Sequence, residues 1–156
     1  MKTINVDEVF DPQGLQTAII SEDASLENVI MSFVRDPDAR GMFLVDSQQR
    51  FAGVITRADL LKWAYLRLGR EPGSGRVNIS RRDIYRFVLS TRAREVAHGN
   101  WHSLGVRPFD DLETALNQMF EHQETDIPVL DEDGKILGDL KVSEVLLKAL
   151  EVSRQD

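Results

Sequence analysis

No cysteine occurs among the 156 residues. A disulfide framework, a thiolate zinc site and a cysteine nucleophile are therefore excluded. Aromatic residues make up only 7% of the chain, and histidine occurs three times. No histidine–carboxylate motif and no nucleophile elbow is present, so catalysis is not expected. No apolar run approaches the ~18 residues of a membrane span. The opening MKTINVDEVFDP meets acid within a few residues and lacks an apolar h-region, so it does not read as a signal peptide. A reducing cytoplasm is the expected compartment, with no membrane partner.

What is present is ordinary for a soluble globular chain: 42% hydrophobic and 29% charged residues, enough to bury a core. The net charge of −7 argues against general nucleic-acid binding, but it is unevenly spread. Arg67 to Arg94 contains eight arginines, no lysine, and only Glu71 and Asp83 as acids. Arginine suits bidentate pairing with carboxylate or phosphate. Pairing with the acidic remainder of the molecule and a basic face for an anionic partner are both open. His98 and His102, with Glu95, have a helical metal-site spacing, yet Gly99 and Asn100 make the stretch a loop and surface histidines the simpler reading. His122 has no partner pattern, and no metal is expected. The Asn78-Ile79-Ser80 acceptor has no role in a cytoplasmic protein, and GSG lacks the lysine of a phosphate-binding loop.

An internal repeat organises the chain. IISEDASLENVIMSFV followed by GMFLVDSQQRFAGVITRADLLKWAYL returns as GVRPFDDLETALNQMF followed by DIPVLDEDGKILGDLKVSEVLLKAL. Leu26 corresponds to Leu112, and Asp46, Gly53 and Asp59 to Asp131, Gly138 and Glu144, with one residue fewer between helix and strand in the second copy. Each copy opens on an apolar stretch (Ala18–Ile20; Leu104–Val106) and a capping turn with Asp23 and Ser25 or Asp110 and Asp111. A helix follows, with Leu26, Val29, Ile30 and Phe33, or Leu112, Ala115, Leu116, Met119 and Phe120, at helical spacing. Two short strands flank DSQQR or DEDGK, the second an Asp-Gly hairpin signal. The closing helix presents Leu60, Leu61, Ala64, Tyr65 and Leu68, or Val145, Leu146, Ala149 and Leu150. The order β-α-β-β-α, twice, predicts an α/β (α+β) fold of two repeats about a pseudo-twofold axis. Repeats of ~60 residues bury too little surface to be secure alone. The expected divisions are 1–69, a linker over 70–95, and 96–156. RLGREPGSGRVNIS reads as a loop, and SRRD from Ser80 starts a helix to about Arg94 that should pack against the repeats.

This grammar, with GVITRAD in the last strand-to-helix turn and IPVLD in the second copy, resembles the CBS domain, here as the tandem pair called a Bateman module. The resemblance spans about Thr17 to Leu150. It implies a regulatory module that binds AMP, ADP, ATP or S-adenosylmethionine in the cleft between repeats, needs no cofactor, and pairs two chains into a homodimer.

Thr56 lies at the mouth of the helix and Asp59 one turn on, on the same face. A carboxylate there can accept both hydroxyls of a ribose, and the helix start favours an anion. Thr-x-x-Asp is equally a capping box. By resemblance Thr56 and Asp59 are ribose ligands, and Ala18, Ile19, Ile20, Gly41, Met42 and Phe43 form the adenine pocket, though ordinary core explains these as well. Phe43 departs from the family's usual proline, which Pro128 keeps. Arg40 and Arg57 are the phosphate candidates, or plain surface arginines. In the second copy Lys141 and Glu144 replace the pair, and Asp126 puts negative charge where a phosphate would lie. A charged hydrogen bond is worth ~1.5–3 kcal/mol, roughly tenfold to a hundredfold in affinity, so the second site is expected to be degenerate. Two functions follow: an adenine-nucleotide sensor acting on an unnamed partner, or a ligand-free dimerisation and interaction module in which GVITRAD is only a cap. Whether Asp59 faces open space or is consumed by its own helix discriminates them.

Overall fold

The structure is a computed structural model that describes residues 3–15, 17–69, 79–97 and 101–155. The first copy comprises β1 (Ala18–Ser21), α1 (Leu26–Arg35), β2 (Gly41–Val45), β3 (Phe51–Thr56) and α2 (Arg57–Leu68). After it come α3 (Arg81–Leu89) and α4 (Ala93–Val96). The second copy comprises α5 (Leu112–His122), β4 (Asp126–Leu130), β5 (Ile136–Lys141) and α6 (Val142–Gln155). Residues 70–78, with Arg70, Arg76, Asn78 and the GSG run, lie outside the described residues, as does His98.

Local chemistry repeats with the sequence. Ser25 caps α1 by accepting the Asn28 amide at 3.1 Å, and Asp111 caps α5 by accepting that of Glu113 at 3.0 Å. In the strand turns Asp46 accepts the Gln48 amide and Asp131 the Asp133 amide, each at 2.8 Å. The next residue is left-handed in both, Gln49 at φ 65° and Gly134 at φ 83°. Glycine takes that conformation without strain, whereas glutamine bears ~1–2 kcal/mol.

β1 pairs in parallel with β2, Ile20 opposite Leu44, in a sheet of order β1-β2-β3. The corresponding Val106 and Val129 also pair in parallel, but only as an isolated bridge beside the antiparallel β4–β5 hairpin. The expected strand at Leu104–Val106 is thus cut short. Gly105 is the cause: its φ is 126°, and its backbone amide and carbonyl are satisfied by the Gln118 side chain at 2.8 and 2.9 Å.

The linker helix also differs from expectation. It ends at Leu89, not near Arg94, because Ser90 turns extended and its hydroxyl donates back to the Phe87 carbonyl at 3.0 Å. The chain then runs beside the start of α1, with the Thr91 carbonyl accepting from Leu26 and the Ala93 amide donating to Ala24, before the single turn of α4.

The residues fall into two compact units, one of Met1–Thr17, Gln49–Phe51 and His102–Asp156, the other of Ala18–Gln48 and Ala52–Trp101. The segment before β1 therefore joins the second copy, and the linker helices join the first. In the latter unit Leu26, Val29, Met42, Leu44, Ile55, Leu66, Ile79, Phe87, Ala93 and Val96 make one buried cluster. In the former, α5 packs on β4 and α6 on β5, over Ala115, Ile127, Val129 and Leu140.

The helix faces need correction. Leu66 is the buried leucine of α2, while Leu61 and Leu68 are 71% and 85% exposed. Phe120 of α5 and Leu146 and Leu150 of α6 are likewise exposed. These helices carry an outward apolar face besides the inward one, and counting apolar positions merges the two.

Candidate functional site

β3 delivers Thr56 to the N-cap of α2 in extended conformation. The Thr56 amide and hydroxyl both donate to Asp59 Oδ2 at 3.0 Å, and the Asp59 amide donates to Thr56 Oγ1 at 3.1 Å. The reciprocal capping box is therefore formed. It is also closed over, because Asp59 has no exposed surface. Arg86 of α3 brings Nη2 to 3.6 Å from Asp59 Oδ1 and 3.3 Å from Asp83 Oδ1, while its Nη1 donates to the Ala97 carbonyl at 2.9 Å. A buried carboxylate needs such compensation, since an uncompensated charge in a desolvated place is costly.

The other candidate positions adjoin this turn. The β1–β2 register sets Ala18 opposite Met42 and Ile19 opposite Phe43. A Cβ on Gly41 would lie 3.2 Å from the Ile55 carbonyl, so a side chain there would press the start of β2 away from the end of β3 by a few tenths of an ångström. Met42 and Phe43 are buried, Ala18, Ile20 and Gly41 are half-buried, and Ile19 is exposed. Arg40 and Arg57 are both exposed. A separate apolar groove of about 340 Å³ lies on α1 and α2, lined by Leu26, Glu27, Ile30, Met31, Trp63 and Arg67.

The corresponding turn of the second copy is filled by the protein itself. The Lys141 amide donates to Glu144 Oε1 at 2.9 Å, repeating half of the capping box. The other half is missing because lysine has no acceptor. Instead the Lys141 ammonium turns inward, 3.0 Å from Asp139 Oδ1 and 3.5 Å from Glu144 Oε1. Asp139 is wholly buried, and its Oδ2 accepts the Thr17 hydroxyl at 2.8 Å and the Thr17 amide at 3.2 Å. Burial alone would lower the Lys141 pKa, but Asp139 and then Glu144 hold it above its ordinary 10.5. The Asp11 amide donates to Glu144 Oε2 at 2.8 Å, and Phe10 and Pro12 close on Gly138.

Arg86, Asp83, Thr17 and Asp139 were not singled out in the sequence. Arg86 stood within the noted arginine-rich segment, and the pairing of that segment with acids is realised there and in Arg94 with Asp23 at 2.9 Å. His102 is exposed, and His122 meets the Ser103 hydroxyl at 3.0 Å. Among the described residues no group of acids and histidines could hold a metal, and no helix is long and apolar enough to cross a membrane.

The CBS domain family model matches twice, over residues 16–65 and 102–151, which covers both copies of the repeat. The chain belongs to the CBS domain family. A CBS domain-containing protein from Thermotoga maritima has the same fold, with 23% identity, 97% of each chain covered and a TM-score of 0.72. CBSX2 in complex with AMP is similar at 21% identity, covering 96% of this chain and 98% of that one, with a TM-score of 0.66. The CBS domain pair of MJ0100, in complex with 5′-methylthioadenosine and S-adenosyl-L-methionine, is similar at 12% identity, 98% and 99% coverage and a TM-score of 0.62. A comparison with curated proteins found no match. No catalytic family is indicated alongside the two CBS repeats.

Proposed function

We propose that this CBS pair is a regulatory module, not an enzyme, that binds one adenosyl ligand per chain at the GVITRAD turn and reports it to a partner protein. Thr56 and Asp59 take the ribose, Ala18–Ile20 and Gly41–Phe43 flank the adenine, and Arg40 and Arg57 serve the phosphate. The observation that carries this is the convergence of β1, the start of β2 and the Thr56–Asp59 turn, tightened by the Gly41 approach to Ile55. Adenosyl ligands in CBSX2 and in the MJ0100 pair support the same ligand class. AMP, ADP and ATP are the nucleotides of first choice, and no cofactor is required. The Lys141–Glu144 turn takes no ligand, since its own ammonium fills it.

A second reading, a ligand-free dimerisation module, draws support from the burial of Asp59 and the use of its Oδ2 in the cap. Calorimetry with AMP, ADP, ATP and S-adenosylmethionine separates the two. One equivalent bound per chain, lost in Asp59→Ala and kept in Glu144→Ala, supports the sensor. Absence of heat with all four supports the ligand-free module. In either case the outward faces of α2, α5 and α6, with Leu61, Leu68, Phe120 and Leu146, suit a homodimer. Leu68→Glu should then shift the sedimentation coefficient toward that of a monomer. Neither nucleic acid nor membrane is a partner in this proposal.

A further inference from the structure

Resting on the ligand-binding reading above, the geometry points to Arg86 as a gate on the Asp59 carboxylate, one that a phosphorylated ligand opens and a neutral nucleoside does not. Arg86 is held from three sides: Asp59 Oδ1 at 3.6 Å, Asp83 Oδ1 at 3.3 Å, and the Ala97 carbonyl at 2.9 Å. Its guanidinium lies 4.3 Å from the Phe87 ring centre, and its side chain is only 19% exposed. The gate is thus a fixed group and not a passing surface arginine.

A ribose diol bound to Asp59 donates two O–H bonds to the carboxylate. Oδ2 already receives the Thr56 amide and hydroxyl, so the diol must use the side that faces Arg86. A neutral nucleoside that displaces the guanidinium leaves a largely buried cation with less compensation, which costs more than the new hydrogen bonds return. A phosphate changes that balance. Arg86 Nε is buried and donates to no acceptor among the described residues, so the Nε–Nη edge of the fork has donor capacity left for a bidentate anion. The ligand then exchanges one counter-charge of Arg86 for another instead of removing it. Arg86 acts as a specificity residue, and the preferred class is a nucleotide, not a nucleoside. Because Arg86 is carried by α3, the exchange also shifts the attachment of the linker helix to α2 only when phosphate is present.

The test is calorimetric titration of AMP and of adenosine into the full chain as wild type, Arg86→Gln and Arg86→Lys, with Asp59→Ala marking binding at this turn. The wild type should bind AMP at least ~10-fold more tightly than adenosine. Arg86→Gln should bring the two affinities to within ~3-fold, with AMP weakened and adenosine strengthened. Arg86→Lys keeps the charge but not the fork, and should retain part of the preference. If Arg86→Gln does not fold, as judged by circular dichroism, a preference undiminished in Arg86→Lys overturns the gate. An unchanged AMP-to-adenosine ratio in Arg86→Gln, with binding still lost in Asp59→Ala, overturns the gate and leaves the ligand site standing. No binding of either compound to any of the proteins overturns the ligand reading and the gate together.

Discussion

The two copies of the strand-to-helix turn bury a carboxylate in the same neighbourhood and compensate it in different ways. At the first, Asp59 has its cation from outside the repeat, in Arg86 of the linker helix α3. At the second, the cation is Lys141, at the N-cap position itself, and it is bound into a closed set with Asp139, Glu144 and, through Asp139, Thr17. Under the proposal above, a borrowed cation is exchanged for a ligand while the Thr56 hydrogen bonds to Asp59 Oδ2 hold the turn. A built-in one cannot leave without exposing or orphaning Asp139. The difference shows how one sequence motif, copied once, can be compensated from outside the repeat in one copy and from within it in the other.

The largest expected effect comes from removing the built-in cation. Lys141→Met leaves a fully buried carboxylate without its partner and should lower unfolding stability by ~3–5 kcal/mol in urea titration. Adding Asp139→Asn should recover part of that loss. Arg86→Gln should cost less, roughly 1–3 kcal/mol, because the Arg86 side chain is partly exposed and Asp59 keeps both Thr56 hydrogen bonds. Equal losses at the two sites would erase the contrast drawn between them.

Alkaline pH probes the same pair without mutation. The folded-state pKa of Lys141 is raised above 10.5. Its contribution is therefore complete below the unfolded-state pKa and disappears as pH rises through the higher folded value. The urea midpoint should fall above about pH 10.5 in the wild type and lose that component in Lys141→Met. A fall of the same size in both proteins would assign it to other groups.

Most of this architecture was legible because the repeat is a matter of chain order. The Ser25 and Asp111 caps and the Asp46 and Asp131 turns follow from local residue chemistry. The cap at Thr56–Asp59 was legible too, as one of two alternatives. Partners far along the chain were not: Thr17 meets Asp139 across more than a hundred residues, and Arg86 is one arginine among eight with no local mark. α3 ends short of its expected extent because Ser90 competes for the backbone, which propensity summed along a helix does not register. Leu61 and Leu68 have the right spacing for a core face, but periodicity does not say which of two apolar faces turns inward.

Helix capping gives a smaller and cleaner contrast. Thr56→Ala removes the oxygen that accepts the Asp59 amide, and should cost about 1 kcal/mol. At the corresponding place Lys141→Thr should return the missing acceptor while giving up the ammonium. It should therefore destabilise less than Lys141→Met. Equal losses in the two Lys141 variants would mean that the second turn gains nothing from a cap.

The smallest effect on stability, and the finest test of the first site, is expected at Arg57. Its side chain is exposed beside Thr56, so Arg57→Gln should change unfolding stability by less than ~0.5 kcal/mol. Its effect on ligand should nonetheless be selective. If Arg57 meets the phosphate, AMP affinity falls by a few-fold, roughly the worth of a solvent-screened charged contact, and adenosine affinity does not move. That pattern differs from Arg86→Gln, where adenosine binding improves because a competitor for Asp59 has been removed. A peripheral arginine adds to phosphate affinity, whereas a gating arginine also subtracts from nucleoside affinity, and the sign of the adenosine change tells the two apart.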